Sequence, residues 1–412
     1  MIMPGVCFCP ICGCASDRPF YVADVTDDAG WLNKSQGHGY YLEYDGKVRH
    51  LVDPDAPGQG DGLPDEVLAY SGRNGKEQIL MHRCCPHCFE GKADGSRAKH
   101  RFWPSVGRVP MYVVPMVGIG GAGKTALLGA LGSGALEPLN DQEKYPYRAD
   151  LSEYSSTVQT SRHTFKIGDR GNSNYIEITR KGSNSEMPVA MVLIWDTAGE
   201  NYENFVPEDL FTANDHVDSP LRRLVYGDGG LYNGADGIIL LEPAVQGKLS
   251  PGKTSLGNII KEMKGKIEQL PVAFVYTYAD ELINQEMKRS DKSVPPLLTW
   301  DTFPNAAHGR GNFKLNKAHF ELDRIRERMA LQEEIAQCIP KQEYQLVVSN
   351  CEDCHGFLVR SCKPVLREAD QEKGEERIDD NFEHQFNVAD PFLWMLTRLR
   401  VFPLKPKGGT GR

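Results

Sequence analysis

Apolar residues along this chain gather in short runs separated by polar and glycine-rich stretches, and the runs differ in period. VPMYVVPMV, residues 109–117, is a nearly continuous apolar run of strand length, and ALLGAL, residues 126–131, follows it with helix-forming side chains. Pro115 inside the first run removes a ladder donor, so a local bulge is expected there. MVLIWD, residues 191–196, is a second β-branched and aliphatic run, and it ends on a carboxylate. Closer to the N-terminus, YYLEYDGKVRHLVD places Asp45-Gly46 between strand-like flanks and predicts a β-hairpin, with the loop DPDAPGQGDGLPDE after it. AHFELDRIRERMALQEEIAQCI has apolar residues at helical spacing among mixed charges, which predicts a surface helix. NVADPFLWMLTRLRVF predicts a last amphipathic helix packed on the core, and no segment repeats.

A length of 412 residues suggests two or three units, and 40% hydrophobic with 25% charged residues describes an ordinary globular chain. No run approaches eighteen apolar residues and no charged-then-apolar leader is visible, so the expectation is a cytoplasmic protein without membrane contact. The formal net charge of −9 works against broad attraction to nucleic acid or anionic lipid. The last nine residues, 404–412, read as a flexible, solvated tail.

Cysteine placement changes this picture. Seven of the eleven cysteines crowd into CFCPICGC, residues 7–14, and CCPHCF, residues 84–89. Each contains C-P-x-C, Cys9 with Cys12 and Cys85 with Cys88. Two such turns offer four thiolates in the tetrahedron that structural Zn²⁺ prefers, and in a reducing compartment that reading precedes a disulfide framework. Cys7, Cys14, Cys84 and His87 remain alternative ligands. The pattern resembles a zinc-ribbon knuckle, with about seventy residues between the pairs where fewer are usual. This module is expected over residues 1–105.

Gly118-Ile119-Gly120-Gly121-Ala122-Gly123-Lys124-Thr125 follows the first apolar run and precedes the helix-like segment opening at Ala126, the context that G-x-x-x-x-G-K-[ST] requires. Its glycines allow backbone N–H groups to face a β-phosphate, Lys124 would bridge β- and γ-phosphates, and the Thr125 hydroxyl would ligate Mg²⁺. Asp196-Thr197-Ala198-Gly199 puts a carboxylate at the end of a buried strand, where α/β sheets bind ligands. Asp196 would hold Mg²⁺ through water, and Gly199 would offer its N–H to the γ-phosphate.

LIWDTAGE together with the phosphate loop resembles the Ras-like GTPases of the translation-factor-related class. The resemblance implies an α/β fold, a doubly wound and mostly parallel sheet with helices on both faces, over residues 106–403, with insertions at about 200–234 and 281–341. ADGIILLEP is similar to the family's next strand, LPVAFVYTYAD to the strand carrying its base-reading motif, and YQLVVSN to the last strand before the base loop, which would make Ser349 a base-loop residue. The base-reading motif [NT]-K-x-D stands here as Thr277-Tyr278-Ala279-Asp280. Asp280 can accept from both N1–H and N2–H₂ of guanine, and Tyr278 takes the place of a lysine whose stem lies along the base. The switch threonine is Thr160 or Thr157. The residue after D-T-A-G is Glu200 where Ras-like proteins have glutamine, and an ionised Glu only accepts, so slow hydrolysis is implied. Arg222 and Arg223 are finger candidates whose plain reading is surface charge.

CEDCH, residues 351–355, reads first as ordinary cysteines, and otherwise as a haem attachment or a second zinc site with Cys362. Taken together, the resemblance implies a GTP/GDP-binding, Mg²⁺-dependent switch with a Zn²⁺ ribbon and a protein partner or activator. A zinc ribbon ahead of a decorated Ras-like core is also similar to the double-GTPase families of bacterial conflict systems. The alternatives are an ATPase with a remade base pocket, and a non-hydrolysing adaptor that docks protein or nucleic acid through the ribbon.

Overall fold

A computed structural model describes residues 1–9, 15–17, 20–23, 41–43, 66–71, 77–84, 105–131, 147–151, 172–181, 186–196, 225–227, 230–245, 255–288, 322–360, 364–365, 377–378 and 387–401. The chain divides into two compact units, Met1–Met111 with Gly227–Gly234, and Tyr112–Tyr226 with Ala235–Arg412.

In the first unit β1 (Cys7–Phe8) and β2 (Ala15–Ser16) form a short antiparallel hairpin, Cys7 opposite Ser16. Four further strands, β3 (Phe20–Ala23), β4 (Tyr41–Glu43), β5 (Glu66–Ser71) and β6 (Glu77–Cys84), make an antiparallel sheet in the order β4-β3-β6-β5. Tyr41–Glu43, the first arm of the expected Asp45-Gly46 hairpin, pairs with β3. The turn itself and its second arm lie outside the described residues. The segment Gly227–Gly234 joins this unit through Tyr232, whose ring lies 4.7 Å from that of Phe8.

The second unit is built on a seven-stranded sheet. Its members are β7 (Met111–Val117), β8 (Tyr147–Leu151), β9 (Asn172–Lys181), β10 (Glu186–Asp196), β11 (Ile238–Pro243), β12 (Val272–Thr277) and β13 (Cys354–Leu358), in the order β13-β12-β11-β7-β10-β9-β8. β7, β11, β12 and β13 are parallel, whereas β8, β9 and β10 run as an antiparallel meander at the other side. All six residues of IILLEP and all six of VAFVYT are buried, the pattern of strands covered on both faces. Chain order departs from spatial order on both sides of β7, so the sheet has a switch point there. This mixed sheet, four strands parallel and three in an antiparallel meander, with packed helices is an α/β architecture.

Pro115 lies inside β7, the strand in which a bulge is expected. The β7–β11 ladder pairs Met116 and Val117, beyond the proline, and upstream the Val113 N–H donates to the Asp236 carboxylate at 2.9 Å.

Helices follow in chain order: α1 (Lys124–Ala130), α2 (Leu256–Glu262), α3 (Lys264–Ile267), α4 (Ala279–Met287), α5 (Leu322–Cys338), α6 (Gln342–Asn350) and α7 (Asp390–Arg398). Ser255 caps α2 by accepting from the Asn258 N–H, and Pro391 sits in the first turn of α7, where no donor is lost. α7 is buried along Phe392, Leu393, Trp394, Met395 and Leu396, and it packs on β12. α5 is more than a surface helix, because Gln332 and Ala336 are fully buried. The Arg328 guanidinium pairs with the buried Asp390 carboxylate, Nε to Oδ2 at 2.6 Å. Gln332 links the same carboxylate, at 2.7 Å, to the Leu358 N–H, at 3.0 Å. α5, α7 and the end of β13 are thus pinned to one another.

YQLVVSN is helical, correcting the expected last strand. Tyr344 and Val347, three residues apart, point inward while Val348 is exposed, which is one face of a helix and not the alternation of a strand. CHGFL takes the edge position beside β12 instead. Among the described residues no helix is long and apolar enough to cross a membrane.

Candidate functional site

The four parallel strands end along one edge of the sheet, and the loops that leave β7, β12 and β13 meet there. After β7 the chain turns through Gly118 to Gly123 into α1. Gly121 and Gly123 hold φ of 79° and 85°, the left-handed region where a side chain is strained. A Cβ on Gly118 would stand 2.9 Å from the Leu241 carbonyl oxygen, so only glycine lets the loop start against β11. The Ala122 N–H closes the turn on the Ile119 carbonyl at 3.1 Å. Lys124 is buried, and its ammonium donates to the carbonyls of Gly118 and Ile119, folded back over its own loop. Gly120, Thr125 and Ala126 lie on the same loop and first helical turn.

β12 delivers Thr277 and Tyr278 to this loop. Thr277 Oγ1 donates to the Ala122 carbonyl at 2.9 Å, and the Tyr278 hydroxyl donates to the Gly121 carbonyl at 3.2 Å. Tyr278 achieves this from a left-handed backbone, φ 56°, as the cap residue of α4. The Ala244 N–H reaches the Thr277 carbonyl at 2.8 Å across the end of β11. Two segments 155 residues apart are thereby fastened, side-chain hydroxyls of one to backbone carbonyls of the other.

Asp280 lies in the first turn of α4, and burial pushes its carboxyl above the usual range while the Arg360 guanidinium draws it down. Arg360 Nε stands 3.5 Å from Asp280 Oδ2. The pairing follows from the backbone, since the Val359 N–H donates to Tyr276 at 2.9 Å and the Ala279 N–H donates to Val359 at 3.3 Å. Asp196 is the buried last residue of β10, whose neighbour in the sheet is β7. Lys341 donates to Glu242 at 3.0 Å and to the Pro243 carbonyl at 2.8 Å, closing the end of β11; burial holds the Glu242 carboxyl up and Lys341 opposes it.

Ser349 is not in a base loop. It stands in the last turn of α6, where its hydroxyl donates to the Gln345 carbonyl at 2.6 Å, an ordinary helical back-bond. Where the sequence pointed to Ser349, the segment following the last parallel strand is Val359-Arg360, and Ser361 beyond it lies outside the described residues. Sequence reasoning missed Arg360 because its strand, which starts at Cys354, was taken for one starting ten residues earlier, at Tyr344; a run as short as CHGFL carries little periodic signal.

Thr157, Thr160, Gly199, Glu200, Arg222 and Arg223 lie outside the described residues, as do Cys12, Cys14, Cys85, His87, Cys88 and Cys362. Cys7 and Cys9 are buried, and Cys84 ends β6. In CEDCH, Cys351 donates to the Leu270 carbonyl at 3.4 Å, and His355 stacks on Phe357 while pairing with Glu333.

No family model matches the chain, and no curated protein matches it. Among solved structures it is similar to Toc33 from Arabidopsis thaliana, in the crystal structure of a dimerization-deficient mutant. That likeness has 14% identity, covers 69% of this chain and 82% of that chain, and has a TM-score of 0.25.

Proposed function

We propose that this chain is a guanine-nucleotide switch that binds GTP with Mg²⁺, hydrolyses it slowly, and carries a structural zinc ribbon through which it docks a protein partner. The observation that supports the nucleotide reading best is the fastening of Thr277 and Tyr278 to the Ala122 and Gly121 carbonyls. The segment read as the base-reading motif is thus tied to a glycine loop of phosphate-cradling sequence, and one ligand with a phosphate end and a base end would match both.

In this reading Lys124, which here donates to its own loop, turns its ammonium to the β- and γ-phosphate oxygens. Gly118, Gly120, Gly121, Ala122 and Gly123 present the backbone to the phosphates, with Thr125 and Ala126 at the helix start. Thr277, Tyr278 and Asp280 hold the base. Thr125 and Asp196 offer hard oxygen donors of the kind Mg²⁺ takes, and the buried Asp196 carboxylate at the end of β10 fits that role. The ion supplies neutralisation of charge on the phosphates. Thr160, Gly199 and Glu200 complete the switch from outside the described residues, and Glu200, able only to accept, makes unaided hydrolysis slow.

Zinc is assigned to Cys9, Cys12, Cys85 and Cys88. Supporting this, β1 and β2 bracket the first C-P-x-C, Cys9 is buried, and Cys84, next to the second C-P-x-C, pairs with Phe20 shortly after β2. Among the described residues no group of three or more His, Cys, Asp or Glu is gathered for a metal, since three of the four assigned ligands lie outside them.

Competition of GTP and ATP against a fluorescent nucleotide, in Mg²⁺, tests the base. GTP is expected to win, Asp280→Asn is expected to move affinity from GTP to XTP, and preference for ATP overturns the guanine reading. Phosphate release measured alone and with candidate partners separates a slow GTPase from a non-hydrolysing adaptor, which gives none in either case.

A further inference from the structure

The Asp280–Arg360 pair is an unusual thing to find beside a base-reading loop. Both side chains are largely buried, 21% and 12% exposed, yet they meet at 3.5 Å through Nε, beyond a good charge-assisted hydrogen bond. Arg360 Nε is buried and, among the described residues, has no hydrogen-bond acceptor. A buried guanidinium donor left in that state is costly unless an acceptor reaches it. Its place does not depend on side-chain chance. Val359 is locked to the Tyr276 carbonyl and to the Ala279 N–H, so Arg360 is held one residue beyond a backbone pairing with the very segment that carries Asp280.

The pair presents an acceptor and a cationic donor side by side. Guanine shows the matching order along one edge: N2–H₂ and N1–H as donors, then O6 as acceptor. Adenine has a donor, N6–H₂, where guanine has O6, and an acceptor at N1 where guanine has a donor. Against Asp280 and Arg360 it is mismatched at both positions.

We propose that Arg360 is a specificity-determining residue of the nucleotide site, donating to O6 of guanine while Asp280 accepts from N1–H and N2–H₂. This rests on the guanine reading above and adds to it the residue that reads the other half of the base edge.

The test compares GTP with 6-thio-GTP, which keeps N1–H and N2–H₂ and replaces O6 by a weaker sulfur acceptor, on the full chain with Mg²⁺. Wild type is expected to prefer GTP. Arg360→Met is expected to weaken GTP about 10- to 100-fold, the range for losing a hydrogen bond from a charged donor, and to bring the GTP to 6-thio-GTP ratio close to one. Arg360→Lys keeps the charge without the planar fork, so it should retain part of the ratio, and it serves if the Met variant fails to fold. A protein that prefers GTP and shifts to XTP with Asp280→Asn, yet keeps its ratio in Arg360→Met or Arg360→Lys, overturns the role of Arg360 alone. Wild-type preference for ATP overturns the guanine reading and this inference together.

Discussion

Replacing Asp390 by alanine removes the acceptor that holds α5, α7 and β13 together. Its carboxylate is 1% exposed and the Arg328 side chain 16%. It accepts from Arg328 Nε at 2.6 Å, from Arg328 Nη2, and from Gln332 Nε2 at 2.7 Å. Deleting one member of a buried pair leaves the other charge desolvated, which costs about 3–5 kcal/mol. Against a typical total stability of about 5–15 kcal/mol this is a large share. At about 2–4 °C per kcal/mol for a unit of this size, the melting temperature should fall by roughly 6–20 °C. Because Gln332 also accepts the Leu358 N–H, loosening it frees the end of β13 and the Val359–Arg360 segment, so nucleotide affinity should fall as well. Urea unfolding followed by circular dichroism measures the stability term. The decisive control is the double variant Arg328→Met with Asp390→Leu, which removes both charges and should recover most of the loss. A loss below about 1 kcal/mol for Asp390→Ala, or a double variant no more stable than the single one, refutes the assignment of a stabilising buried pair.

Three further outcomes follow from other parts of the molecule. Gly118→Ala drives a Cβ against the Leu241 carbonyl at 2.9 Å, and overpacking of this kind costs about 1–3 kcal/mol, so both the melt and nucleotide affinity should drop, whereas Gly265→Ala, with nothing within 4 Å, should leave both intact or slightly raise the melt. Burial raises the Glu333 carboxyl, but hydrogen bonds from His355, the Gly356 N–H, Tyr344 and Gln337 outweigh it and bring it down to about 2 from 4.5. A carboxyl depressed on folding stabilises above its unfolded value, so this contribution should be complete above pH 4.5 and be lost as pH falls toward 2, and Glu333→Gln should flatten a denaturation profile over that window. Metal analysis of native protein should return about one zinc per chain, the content of one four-thiolate site, and Cys9→Ser should lower it; a wild type without zinc removes the ribbon from the proposal.

The glycine loop after β7 was readable from one stretch of chain because its determinants are local. Glycines permit the left-handed turns at Gly121 and Gly123, and the apolar runs on either side are legible as the strand β7 and the helix α1. The strands IILLEP and VAFVYT were legible through the family resemblance, and their burial on both faces accords with runs that are apolar but for Glu242 and Thr277. YQLVVSN was not, because a short apolar run satisfies both a strand and one face of a helix. Packing chose between them: Tyr344 and Val347 turn inward together, and the edge beside β12 went to CHGFL. Arg360 became visible only through that pairing, which sets it 80 positions along the chain from the carboxylate it faces. The same holds for Arg328 and Asp390, 62 residues apart, and for Thr277 and Ala122, 155 apart. Local propensity specifies turns and elements, whereas partners for buried charges and the joining of two loops into one site depend on which strands the sheet makes neighbours. That choice is a property of the folded chain as a whole.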